Sequence, residues 1–410
     1  MKSLSVSVII FVLVSACAKQ EKETQSKDSQ KGKQKYQKIR ERTVSFGYDN
    51  DIISYKKTND NNFLFYIKVD PQKVNTKEEA KRNVRYYFLK VNPQGDTISS
   101  IPVSFEYHLG NYVESEDSYY VITTALLNGG KYTRDFLNRY DKHWKLIWSR
   151  RIDKPKRADI STVLTLTPNK ELLVIGNQLN RKYKMNGLTI MRFTLDGKML
   201  TEKFIPAEKC SNPVSLIPSA DGTYFLTTWK YHPTSKYPYN LLWLLKLNQQ
   251  GDALWTKTYT DLYPGPTLLT RKGDLVCYGR QIVSPYGQDI YSFKVVVLDQ
   301  TGNIKWQKVF FRHAYLGTGD IVESSNGNYL FTGVVHPLAT SEGSGSLFEL
   351  NKKGDLVYQK EFEYDYIRDG VPFLVESEKQ LLLITEDQID RFKKDSDPYH
   401  HIIRITSISE

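Results

Sequence analysis

Cysteine is nearly missing: 410 residues hold only Cys17, Cys210 and Cys277. Cys210 falls in a predicted crossing between repeats and Cys277 in a predicted second strand, so a disulfide is geometrically doubtful and two unpaired thiols are expected. Histidine is scarce as well, with seven in the chain. His400 and His401 are adjacent and point to opposite faces of a strand, while His232 and His336 fall in repeats that are not neighbours, so no metal site is expected. No nucleophile elbow is present, since Gly343-Ser-Gly-Ser346 lacks the spacing, and no clustered His, Asp and Glu motif occurs. Long apolar runs are missing beyond Leu4 to Val14, and nothing else approaches the roughly 20 residues of a membrane-spanning helix.

Basic charge is in excess, with a formal net charge of +11, but it is unevenly placed. Residues 18 to 43 hold nine Lys or Arg against four Asp or Glu. The remainder is too dilute in charge for a nucleic-acid footprint, so no nucleic-acid partner is expected.

The N-terminal stretch has Lys2, the apolar run and then Val14-Ser15-Ala16-Cys17, which read together as a secretory signal over residues 1–16. Val14-Ser15-Ala16-Cys17 resembles the lipobox of bacterial lipoproteins, and the resemblance implies that Cys17 is the lipid attachment site. Acyl chains on one Cys make a stable membrane anchor. Ala18 follows where inner-membrane retention would favour Asp, which implies the outer membrane of a Gram-negative envelope, on either face. Residues 17–41 are rich in Lys, Gln, Glu and Ser and read as the lipidated Cys with a flexible tether.

What the rest of the chain has in abundance is one recurring turn. Val91-Asn-Pro-Gln-Gly95, Tyr140-Asp-Lys-His-Trp144, Phe193-Thr-Leu-Asp-Gly197, Leu247-Asn-Gln-Gln-Gly251, Leu298-Asp-Gln-Thr-Gly302 and Leu350-Asn-Lys-Lys-Gly354 return at steps of 49, 53, 54, 51 and 52 residues. Alternating apolar residues flank each, the signature of a β-hairpin whose final Gly takes positive φ. A period of this size built from several short strands predicts propeller blades.

The sequence therefore predicts an all-β, seven-bladed β-propeller of four-stranded antiparallel blades over residues 42–410. The blades fall at about 51–103, 104–152, 153–205, 206–259, 260–311, 312–362 and 363–410. The last has three strands of its own, and Arg42-Thr-Val-Ser-Phe46 is expected to supply the missing outer strand, because an open ring would expose an edge.

Trp148, Trp255 and Trp306 each sit four residues past the turn position, with Tyr358 in the same register, and are expected to pack between blades. Leu247-Asn-Gln-Gln-Gly-Asp-Ala-Leu-Trp255 and Leu298-Asp-Gln-Thr-Gly-Asn-Ile-Lys-Trp306 resemble the docking repeat of quinoprotein-like β-propellers, a group that includes an outer-membrane propeller lipoprotein. Here the Asp-to-Gly spacing is one residue shorter, and those folds usually have eight blades. No constellation for a quinone and its calcium is recognisable, so the resemblance implies the fold without redox chemistry, and no cofactor is expected.

Strand order sorts the loops. The first-to-second and third-to-fourth turns are short and share one face, while the long loops share the other, where Tyr, His and basic residues concentrate. Tyr183, Lys184, Tyr231, His232, Tyr237, Tyr286, His336, Arg391, Tyr399 and His400 are the candidate ligand-face residues, suited to a protein partner or a glycan. Asp320, Glu323 and Asp369, near inner-strand starts, are candidates for an acid and base pair across the channel mouth. The expected function is a monomeric, lipid-anchored, non-enzymatic binding or scaffolding module. The alternative is an extracellular glycan hydrolase or lyase with its site at that mouth.

Overall fold

The computed structural model describes residues 37–45, 49–70, 85–103, 108–127, 132–152, 158–179, 185–207, 213–231, 240–282, 291–337, 344–362, 373–376, 381–389 and 400–409. Every regular element among them is a β-strand.

Four sheets follow the expected plan, each running from an innermost to an outermost antiparallel strand. The first comprises Asp49–Lys57, Phe63–Asp70, Arg85–Val91 and Thr97–Val103. The second comprises His108–Glu114, Ser118–Leu127, Tyr132–Asp141 and Leu146–Arg151. The third comprises Ala158–Leu166, Leu172–Leu179, Met185–Phe193 and Met199–Pro206, and the fourth Ser215–Pro218, Tyr224–Tyr231, Asn240–Leu247 and Ala253–Tyr259.

The fifth sheet corrects the sequence reading. It has seven strands, Tyr263–Leu269, Leu275–Ile282, Tyr291–Leu298, Ile304–Glu323, Tyr329–Pro337, Ser344–Leu350 and Leu356–Phe362. Counted as hydrogen-bonded sheets, the propeller has six blades and not the expected seven. The break expected between Phe311 and Arg312 does not exist: one 20-residue strand pairs with Tyr291–Leu298 through its first part and with Tyr329–Pro337 through its last. At Ala314 it is paired on both sides, to Tyr291 and Pro337. The physical reason is local. Phe310-Phe-Arg-His-Ala-Tyr-Leu316 contains neither Pro nor Gly, the residues that break a ladder. The two halves of this sheet pack against each other, with Tyr278, Phe293 and Val295 from one meeting Phe331, Phe348 and Leu350 from the other.

The sixth sheet draws on both parts of the chain. Its order is Phe373–Glu376, Leu381–Ile389, His400–Ser409 and then Gln37–Ser45 as the outer edge. Gln37 pairs with Ser409 and Ser45 with Ile402. The strand expected at 42–46 thus begins earlier, and Val44 packs beside buried Phe65, Ile67 and Ile403 of the cluster joining the sixth sheet to the first.

The turns explain their own recurrence. Gly95, Gly197, Gly251, Gly302 and Gly354 lie at φ between 78° and 85°, a region that costs an L side chain strain. In each, the Gly N–H donates to the carbonyl of the residue three before, as Gly251 does to Asn248 O at 3.0 Å. The Asn248 side chain also accepts from the Gln250 and Asp252 amides at 2.9 and 2.8 Å, so the turn closes on itself.

The aromatic register joins neighbouring repeats. Trp148, Trp255 and Trp306 rings lie 2.9, 2.9 and 2.8 Å from where a Cβ would stand on Gly197, Gly302 and Gly354, each the turn Gly of the following repeat. Trp306 also donates its indole N–H to Lys352 O at 2.9 Å. The first repeat has Ser99 at the Trp register, and there the exchange is reversed. Trp144 occupies the Gly position at φ 62° and stacks between Phe88, at 3.7 Å, and Tyr119, at 4.3 Å. The same aromatic volume is delivered from the opposite side of the seam.

Candidate functional site

Inner strands of the first, second, third and fifth sheets are bulged. Register shifts fall between Ile52 and Ser54, Leu109 and Asn111, Ser161 and Val163, Pro264 and Thr267, and Thr318 and Ile321. A bulge leaves a residue unpaired and re-aims its side chain. At the last of these the unpaired residues are Gly319 and Asp320, so Asp320 is freed from the ladder of its own strand.

Asp320 then meets groups of its own sheet and of two others. The Tyr55 hydroxyl, from the first sheet, donates to its carboxylate and also lies 3.0 Å from Leu374 O of the sixth. The Ile321 amide donates to Asp320 Oδ1 at 2.8 Å, and the Asp320 amide donates to Thr332 Oγ1 at 2.8 Å. The Tyr278 hydroxyl is 3.3 Å from Asp320 O and 3.2 Å from Thr332 O. Burial raises the Asp320 carboxyl to about 6, opposed by the hydrogen bonds from Tyr55 and the Ile321 and Leu374 amides. Burial, followed by the charge of Asp320, pushes the Tyr55 phenol well up, so it is a neutral donor.

On the other side of the same strand, Lys56 donates to Asn111 Oδ1 of the second sheet at 2.9 Å and lies 5.3 Å from the Tyr112 ring centroid. Burial lowers its ammonium to about 8. Tyr112 is itself buried and donates to Leu64 O at 2.6 Å. The innermost strand of the first sheet is thus fastened through Tyr55 to the fifth and sixth sheets and through Lys56 to the second.

A second feature lies on the opposite end from the long loops. A groove of about 810 Å³ opens between the first-to-second turns of the first and second repeats, lined by Asn59, Asp60, Lys90, Glu114, Glu116 and Lys142. Its charges are matched. Lys90 pairs with Asp60 at 2.6 Å, Lys142 with Glu114 at 2.6 Å, and the Asn59 amide donates to Glu114 Oε2 at 2.7 Å. Partial burial works to raise the Asp60 carboxyl, and hydrogen bonds from Lys90 and Thr58 outweigh it and hold it low. Sequence reading placed recognition on the long-loop face and missed this groove, whose partners are 28 to 55 residues apart.

Of the candidate ligand-face residues, Tyr183, Lys184, His232, Tyr237, Tyr286, Arg391 and Tyr399 lie outside the described residues, as do Cys17, Asp369 and Cys210. Backbone placement is defined for three. Tyr231 ends the second strand of the fourth sheet and pairs with Asn240, His336 lies near the end of Tyr329–Pro337 opposite Tyr315, and His400 opens its strand opposite Ile389. All three strand ends belong to the long-loop face, in three different sheets. Asp320 and Glu323 are not paired with each other. Glu323 accepts the Arg271 amide at 2.6 Å beside the short turns. Cys277 is a free, buried thiol, raised to about 12 by burial. Among the described residues, no three His, Cys, Asp or Glu side chains gather to hold a metal ion.

With bulged inner strands, sheets joined edge to centre and a ring sealed by the Gln37–Ser45 strand, the architecture can be compared with solved proteins. The chain matches no protein-family model and no curated protein. Among solved structures it is similar to the Dos1 propeller, at a TM-score of 0.54 and 9% identity over 91% of this chain and 95% of that one. The fold is a β-propeller. It is also similar to BBS1N in complex with ARL6DN, at a TM-score of 0.49 and 9% identity over 90% and 96% of the two chains. An apocarotenoid oxygenase mutant of Synechocystis gives 0.43 at 11% identity over 68% and 70%. At such identities the likeness concerns this propeller's fold alone.

Proposed function

We propose that the chain is a lipid-anchored envelope propeller that acts as a non-enzymatic binding or scaffolding module for a protein partner or glycan, engaged through its long-loop face. The observation that carries this reading is the state of the axis. Asp320, the described carboxyl nearest to a catalytic placement, is bonded by Tyr55 and backbone amides, and Lys56 is bonded to Asn111. These contacts hold sheets together, which is the work of a rigid scaffold that presents loops. The strand ends carrying Tyr231, His336 and His400 converge on one face and support the same choice of surface. The docking-repeat resemblance supports a structural role for the tryptophans in a quinoprotein-like ring. Cys17 in its lipobox-like setting, followed by Ala18, supports an outer-membrane lipoprotein.

The test is comparative capture from solubilised envelopes, with the wild-type chain beside Tyr231→Ala and His336→Ala combined. A stoichiometric protein or glycan held by the first and lost from the second is the expected result. Equal recovery from both would remove the long-loop face from consideration.

A glycan hydrolase or lyase is the second reading, favoured by one observation, the Asp320 carboxyl at about 6, in the range of a general acid. Release of new reducing ends from envelope glycans by the wild type, abolished in Asp320→Asn, would establish it over the binder.

A further inference from the structure

Strand polarity fixes the face from which the tether departs. The third strand of the sixth sheet, His400–Ser409, runs toward the short-turn face, and Gln37 is paired with Ser409 at its end. Gln37 therefore lies at the short-turn end of its strand, away from the long loops. The twenty residues from Cys17 to Tyr36 reach at most about 70 Å when extended.

The same side carries an unusual rim. Ile98, Ile147, Leu200, Leu254 and Val357 each stand three residues past the turn's Gly or Trp144 position, and all are exposed, Leu254 by 53% and Ile98 by 51%. Leu146, Met199, Ile304 and Leu356 precede or match them one residue earlier and are exposed too. At about 3.3 Å per residue, every one lies within roughly 10 Å of its turn. The pattern recurs on the outer strand after each described third-to-fourth turn, across the first five sheets. A compact partner would cover one or two sheets. A planar surface perpendicular to the propeller axis meets them all.

The lysines of the rim do not dominate it. Lys203 and Lys308 pair with Asp252 and Asp355 of the adjoining repeat, and Lys305 with Asp274 of its own. The contact offered is apolar and close to neutral, which suits the interfacial zone of a bilayer more than an anionic partner. We infer that the short-turn rim is a lipid-facing surface, seated on the membrane leaflet to which the tether leads, with the long loops held away from it. This rests on the reading of Cys17 as the anchor.

The experiment separates the two. Full-length chain carrying Cys17→Ser, which has no acyl group, is mixed with phosphatidylcholine vesicles, whose neutral headgroups give the tether lysines little to hold. Binding that falls at least tenfold in Ile147→Asp, Leu254→Asp, Val357→Asp is expected. Pro102→Asp, Pro206→Asp, Thr258→Asp, at the opposite ends of outer strands, should bind as the parent does. Equal binding by the rim triple and the parent would overturn the inference. Should the rim triple fail to fold, brominated lipid provides the second measurement. Trp148, Trp255 and Trp306 stand next to the rim, so quenching of the parent's fluorescence supports the contact and its absence refutes it. Mass measurement of Cys17 from cell membranes reads the anchor separately: an unacylated Cys17 with rim binding intact removes the anchor and leaves the rim.

Discussion

Asp320 illustrates how one unpaired residue acquires a role through distance. Its carboxyl is raised to about 6 from an ordinary value near 3.8, so the folded chain holds the proton more tightly than the unfolded chain. The linkage follows: stability from this group is full below about pH 4 and is lost as pH rises through about 6. Protonation also lets the carboxyl donate to the Tyr55 oxygen while Tyr55 donates to Leu374 O, satisfying three groups in series. Asp320→Asn should therefore stabilise the protein at pH 7.5, by on the order of 1–2 kcal/mol, with the advantage vanishing toward pH 4. Paired urea titrations across that range check it, and a constant difference between variants at every pH would refute it. Sequence alone marked Asp320 as an acid near an inner strand's start but could not find Tyr55, 265 residues away. The bulge that brings them together leaves only the faint trace Gly319-Asp320.

At the level of strands and turns, the repeat was readable because each turn needs a positive φ and each seam needs an aromatic. Those demands fall on fixed positions. Trp306→Ala should cost about 2–3 kcal/mol, at the lower end for a large aromatic because Trp306 is only partly buried. Gly354→Ala should cost about 1–2 kcal/mol through its φ of 78° and the indole already against it. The reversed seam offers a sharper check. Trp144→Gly alone should leave a void against Phe88, and adding Ser99→Trp should recover part of the loss, a coupling visible in a double-mutant cycle. Additive losses would mean the two positions do not share one space. Blade count was not readable for the complementary reason. Nothing in Phe310 to Leu316 forbids extension, and strand continuation is decided by tertiary pairing on both edges, which local composition does not encode.

For the molecule as a whole, integrity depends on closing the circle with the Gln37–Ser45 strand. Val44 is its described side chain in the core, packed in the cluster that joins the sixth sheet to the first. Val44→Asp should loosen that sheet before the rest, so amide exchange in Leu381–Ile389 and His400–Ser409 should accelerate by ten-fold or more. Phe225 and its neighbours in the fourth sheet should stay protected. Uniform acceleration everywhere would instead indicate a ring that opens as one unit. The two faces of the disc were legible from strand order, but the groove between Asp60 and Glu114 was not, because hydrophilic turn residues look alike whether they border a hollow or open water.

The strand that seals the propeller is also the one on which the proposed N-terminal anchor would pull. Any tug transmitted from an anchored N-terminal segment enters at Gln37 and runs along the length of that strand, while resistance comes from whatever grips the loops at the far side. The ladder from Gln37–Ser409 to Ser45–Ile402 is then loaded in shear, with its bonds sharing the strain together instead of parting one by one. A seam placed there doubles as a mechanical coupling, and its strength sets how hard the disc can be pulled before it unrolls.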